Sequence, residues 1–204
     1  MSFSTPTASQ PLTHKVLYST RQCLGFAALI WLLTGLCSAF MPLVADEMYY
    51  VQWSHQLDFG YFDHPPMVAY LIWLFGHHPR IAAWTISLGS IVMLTLAARA
   101  SGSRHWYYSP LLFVSTPLGL SAGLFMTPDI PLLFGWSIVI YGLVTTTPRL
   151  AWLGLTIGLL SKPTALLMLP AIALRLGWRQ SLWVVGGALA MCAPMLEWSA
   201  SHEW

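Results

Sequence analysis

Two adjacent carboxylates, Asp46 and Glu47, follow directly on a long apolar run. Further polar groups are spaced behind them as Asp63-His64-Pro65-Pro66, Arg80, Thr127-Pro128-Asp129 and Lys162. A carboxylate in such a place can take a proton from a hydroxyl or hold a cation. It can equally cap a helix that begins there, because negative charge in a first turn is stabilised by unpaired backbone N–H groups. Asp63-His64 differs in kind: the two prolines that follow restrict the backbone to extended conformations, so carboxylate and imidazole are held in place. Thr127-Pro128-Asp129 reads as a helix start, with either its threonine or its aspartate able to cap. Lys162, flanked by apolar segments, must snorkel to the surface or meet an anion, and a phosphate would supply one.

The frame that positions these groups is set by composition. Charged residues make up 8% of the 204 and hydrophobic ones 56%, a balance that fits a multi-span membrane protein and not a water-soluble core. Nine Lys and Arg with a net charge of +2 give no basic face for a duplex, so nucleic acid is excluded as a partner. Cys23, Cys37 and Cys192 sit in apolar runs without CxxC spacing, which gives neither a disulfide framework nor a zinc site.

Hydropathy predicts an all-α integral membrane protein with about seven membrane segments, at 24–45, 81–98, 107–125, 130–145, 150–160, 164–176 and 182–196. Residues 1–21 form a cytoplasmic tail and 22–204 a transmembrane domain. The first run is long for the apolar part of a cleaved leader, and Leu43 is a poor cleavage-site residue, so it reads as an uncleaved anchor. Segments five and six have about 11 to 13 residues, roughly 16–20 Å against a hydrocarbon core of about 30 Å, so the Ser161-Lys162-Pro163 turn between them lies below the membrane surface. With a cytoplasmic N-terminus, Lys15, Arg21, Arg99, Arg104, Arg149, Arg175 and Arg179 fall inside and only Arg80 and Lys162 outside, in accord with the positive-inside rule. All seven acids, Asp46, Glu47, Asp58, Asp63, Asp129, Glu197 and Glu203, then face outward.

The outer loop 45–80 has no run long enough to cross. Tyr49, Trp53 and Leu57 share one helical face and predict a helix lying in the interface, and 67–75 repeats the pattern. These aromatics read as an anchoring belt at headgroup level.

Four blocks in order carry a resemblance: "DEMYYVQWSHQLDFGYFDHPPMVAYLIWLFG", "MTPDIPLLFGWSIVIYGL", "GLTIGLLSKPTALLMLPAIAL" and "PMLEWSASHEW". Together, from about residue 40 to the end, they resemble the dolichyl-phosphate-mannose protein mannosyltransferase-like group of membrane glycosyltransferases, to which the bacterial aminoarabinose transferases also belong. The resemblance implies an enzyme of the bacterial inner membrane that passes a sugar from a polyprenyl-phosphate carrier to a lipid, glycan or protein acceptor on the periplasmic or outer face. It implies that Asp46 and Glu47 are the catalytic acidic pair, that Asp129 is a second acidic residue of the site, and that His64 and Lys162 lie near the carrier phosphate. His64 stands where aminoarabinose transferases carry a lysine, so its charge depends on pH.

The chemistry expected of such a site is an inverting displacement at an anomeric carbon, with Asp46 as base on the acceptor hydroxyl. The leaving phosphate is already anionic and calls for fixed positive charge, from Lys162 with Arg80 and His64, or for a divalent metal. Asp46, Asp129 and His64 have the ligand types for such an ion, although nothing in their spacing demands one. Members of the group are much longer, so the chain reads as an N-terminal portion. The alternative expectation is a catalytically silent module that binds the lipid carrier or a partner chain.

Overall fold

The structure is a computed structural model that describes residues 19–202. Most of the expected 1–21 tail, with Lys15, and the acid Glu203 lie outside the described residues. The described residues form eleven α-helices and two short 3-10 turns, and contain no strand.

α1 (Thr20–Phe40) opens on a capping box: the Ser19 hydroxyl accepts from the Gln22 N–H, and the Gln22 side chain accepts from the Ser19 N–H. It stops at Phe40 because Pro42 drives Met41 into an extended conformation. The residues it buries are small, Cys23, Ala27, Thr34 and Ser38, while Leu29, Leu32, Leu36 and Phe40 point outward. Small residues inward and large apolar ones outward is the pattern of a helix packed in lipid. α2 (Ala45–His55) and α3 (Met67–Leu74) follow, and then α4 (Pro79–Ala100). α1 and α4 are locked by a reciprocal pair: Trp31 and Trp84 stack with centroids 4.0 Å apart, and each indole N–H donates to the other's backbone carbonyl, at 3.2 and 2.9 Å.

α1 and α4 are long and apolar enough to cross a membrane. The other expected segments are shorter or broken, and proline is the recurring cause. Segment 107–125 divides into a 3-10 turn (Trp106–Tyr108), α5 (Ser109–Ser115) and α6 (Pro117–Ala122), because Pro117 makes Thr116 extended and the Thr116 hydroxyl caps the new helix through the Gly119 N–H. Segment 182–196 lies within α10 (Trp178–Met191) and α11 (Ala193–Ser201), bent by 49° just before Pro194. These two make a third crossing if counted as one span. The first apolar run also ends earlier than expected, so that Ala45 belongs to α2.

α7 (Asp129–Val144) and α8 (Pro148–Leu159) form an antiparallel hairpin with the most extensive helix–helix contact among the described residues. Glycines make that approach: a Cβ on Gly135 would lie 2.6 Å from the Gly154 carbonyl oxygen, and one on Gly154 would lie 2.5 Å from the Gly135 oxygen. Gly158, one turn further on α8, continues the stripe against Ala165 in the 3-10 turn Pro163–Met168, which leads into α9 (Leu169–Leu176). The hairpin matters to function because its open end brings the start of α7 against the turn after α8.

Candidate active site

The adjacent acids separate at once. Successive residues on a helix point about 100° apart, so Asp46 and Glu47, both in the first turn of α2, face different surroundings. Glu47 is wholly buried. One of its oxygens accepts from the Val44 N–H at 3.1 Å and lies 2.6 Å from the Arg80 guanidinium, and the other accepts from the Met126 N–H at 2.9 Å. Arg80, at the start of α4, also donates to the carbonyls of Pro42, at 2.9 Å, and Leu124, and its guanidinium lies 4.9 Å over the Phe125 ring. One ion pair therefore ties together the 41–44 link, α2, α4 and the 123–128 link. Arg80, expected beside a phosphate, is committed to Glu47 and to backbone.

The second ion pair has the same chemistry in other surroundings. The Lys162 ammonium lies 2.9 Å from an Asp129 carboxylate oxygen, with side chains 32% and 39% exposed. Asp129 does not cap α7; its carboxylate is spent across the hairpin mouth. Lys162 is held extended by Pro163 and anchored by its own N–H to the Gly158 carbonyl at 2.8 Å. An ammonium has three hydrogens and this one uses a single acceptor among the described residues, so donors remain for an anion.

The Asp63-His64-Pro65-Pro66 turn docks on the same mouth. The Met67 N–H donates to the Leu160 carbonyl at 2.9 Å, joining the end of the turn to the residue two before Lys162. Burial holds the His64 imidazole below its usual pKa, and the Lys162 ammonium adds to the depression; the carboxylates of Asp63, Asp129 and Asp46 act in the opposite direction and lose. His64 is therefore neutral at pH 7. Tyr50, one turn after Asp46 on α2, has its ring centroid 6.1 Å from that of His64. Burial pushes its hydroxyl up to about 12, with further upward pressure from Asp46, Asp63 and Asp129. It stays a protonated hydroxyl at any ordinary pH.

The structure thus gathers Asp46, Asp63, His64, Asp129 and Lys162 around Tyr50, and keeps Glu47 with Arg80 apart from them. Asp46 is exposed, and its carboxylate has no hydrogen bond or ion pair among the described residues. No group of three or more His, Cys, Asp or Glu among the described residues is placed to hold a metal ion, the possible set of Asp46, Asp129 and His64 included. Tyr50 was absent from the expected site. Its i+4 spacing from Asp46 was the available signal, masked by the reading of the aromatics as a lipid belt.

No family model and no solved structure matches the chain. It is similar to the lipid A galacturonosyltransferase RgtD of Rhizobium johnstonii, with 26% identity over 88% of this chain and 43% of that protein. The chain thus spans less than half the length of the curated relative it matches.

Proposed function

We propose that the chain is the part of a membrane glycosyltransferase that carries the reacting groups, taking a sugar from a polyprenyl-phosphate donor and transferring it with inversion to an acceptor hydroxyl on the outer face of the bacterial inner membrane. The single observation that carries the reading is the contrast between two groups that both act on His64 at the mouth of the α7–α8 hairpin: an unengaged carboxylate, Asp46, and an ammonium with donors to spare, Lys162. The similarity to a lipid A galacturonosyltransferase supports the reaction class and suggests a lipid-borne sugar acceptor.

In this reading Lys162 binds the donor phosphate and stabilises the charge that returns to it as the sugar–phosphate bond breaks. The acceptor oxygen attacks the anomeric carbon from the opposite side, and Asp46 takes the hydroxyl proton. Because the leaving group departs as an anion, no protonated acid is needed. Asp129 positions the ammonium. Neutral His64 and protonated Tyr50 donate or accept hydrogen bonds without adding charge. Glu47 and Arg80 are positioning residues that fix α2 against the 123–128 link, and hence Asp46 against Asp129.

The topology that goes with this function keeps the seven apolar segments in the membrane, the 45–80 loop and Lys162 on the outer side, and the remaining Arg residues inside. The test is transfer of radiolabelled sugar from a polyprenyl-phosphate donor in membranes. Asp46→Asn should insert normally and lose transfer, and undiminished transfer would remove Asp46 as the base.

A further inference from the structure

We propose that the open groove between α2, the 56–62 loop and α11 is a carbohydrate-binding site that holds a pyranose of the acceptor. The word acceptor rests on the transferase reading of the neighbouring ionic site, whereas the word carbohydrate rests on the groove's own walls. The groove has a volume of about 390 Å³. Its aromatic wall is Trp53, Tyr61 and Trp198, and its polar wall is Gln52, Gln56 and Asp58.

The aromatic wall is built to stay flat. Trp53 and Tyr61 stack with centroids 4.4 Å apart and planes within 8°. The Tyr61 hydroxyl lies 3.1 Å from the Trp53 carbonyl and 3.0 Å from that of Gln56, and accepts from the Asp58 N–H at 3.1 Å. Trp198 arrives from the far end of the chain and closes on Gly60, where a Cβ would lie 2.5 Å from the indole ring. Only glycine admits that approach. The Trp198 ring also stacks on the His202 imidazole, with centroids 4.1 Å apart.

The polar wall selects the ligand class. Gln52 on the last turns of α2 and Gln56, the residue that follows the helix, flank Trp53, and neither amide side chain has a hydrogen-bond partner among the described residues. A pyranose offers an apolar C–H face to an aromatic ring and a rim of hydroxyls that both donate and accept; amides answer both functions and Asp58 adds acceptors. A phosphate or other anion would meet no cation among these six residues, and it would meet a carboxylate. An acyl chain would leave two amides and a carboxylate unpaired. A headgroup belt accounts for exposed aromatics, yet Trp53 is only 8% exposed and has the two glutamines on either side of it. Asp46 lies six residues before Gln52, about 9 Å along the helix axis, close enough for a glycan seated in the groove to present a hydroxyl to it.

The test is saturation-transfer difference NMR on the whole chain in phosphatidylcholine nanodiscs, with methyl β-glucosaminide and methyl α-galactoside as probes and inorganic phosphate as control. Irradiating the aromatic protons should saturate the ring protons of at least one glycoside. The signal should fall at least tenfold in the Gln52→Leu/Gln56→Leu double variant and in Trp198→Ala, and persist in Asp46→Asn. Absence of signal for both glycosides, or an undiminished signal in the folded double variant, would overturn the groove. Transfer with an unchanged acceptor KM in the double variant would also overturn it while leaving the transferase reading intact. Glycoside binding by a chain that transfers nothing with any donor would remove the word acceptor and keep the carbohydrate site.

Discussion

Two ion pairs of the same composition, Glu47–Arg80 and Asp129–Lys162, do opposite things because of where they sit. In the first, the carboxylate is fully buried and both its oxygens are engaged, and four of the guanidinium's contacts go to Glu47, to carbonyls and to an aromatic ring. Both carboxylate oxygens are spent and only the buried Nε of the guanidinium lacks an acceptor among the described residues, so loss of either partner strands a charge. In the second, both groups are about a third exposed and the ammonium keeps free donors. Such a pair adds little to stability, roughly 0–1 kcal/mol, but it holds a cation where an anion can reach it. Saturation, and not residue type, separates the structural pair from the one proposed to bind the donor phosphate.

The comparison breaks most severely at the buried pair. Glu47→Gln should cost about 3–5 kcal/mol, because the Arg80 charge is left without its counterion, and thermal melting of the detergent-solubilised chain would show it. Asp129→Asn should leave the melting temperature nearly unchanged and lower transfer about 10- to 100-fold, since the ammonium loses its tether and not its charge. A fall in transfer fully explained by unfolding would erase the distinction between the pairs. Tyr50→Phe should cost less, about tenfold in rate, the worth of one neutral hydrogen bond.

The subtlest effect concerns His64. Its folded-state pKa lies below the usual 6.5, so the folded protein binds fewer protons than the unfolded one and its stability declines as pH falls below that value. An imidazole NMR titration should place the midpoint under 6.5, and Lys162→Met should move it upward, because the nearby ammonium is one of the two causes of the depression.

What could be read from the sequence depended on how local the cause was. The helices at 45–55 and 67–74 were legible from their aromatic spacing, and the 150–160 segment from its hydropathy. The breaks at Met41, Thr116 and Cys192 were not found, although Pro42, Pro117 and Pro194 stood in plain view, because a hydropathy window averages across a residue that stops a helix. Asp46 and Glu47 look like one motif in sequence, and the turn of the helix divides them. Arg80 pairs with Glu47 across 33 positions that carry no local signal. The Asp129–Lys162 contact was within reach: segments of similar length joined by a short turn bring their outer ends together, which is where these two residues stand.

The most direct test of the contrast is the rate of sugar transfer per correctly folded molecule in Lys162→Met, beside the wild-type chain in the same membranes. The account expects a fall of about 10²- to 10³-fold with the melting temperature held, as for loss of one preorganised donor to a developing charge. A rate within twofold of wild type would contradict it, since the exposed ammonium would then contribute nothing to the reaction.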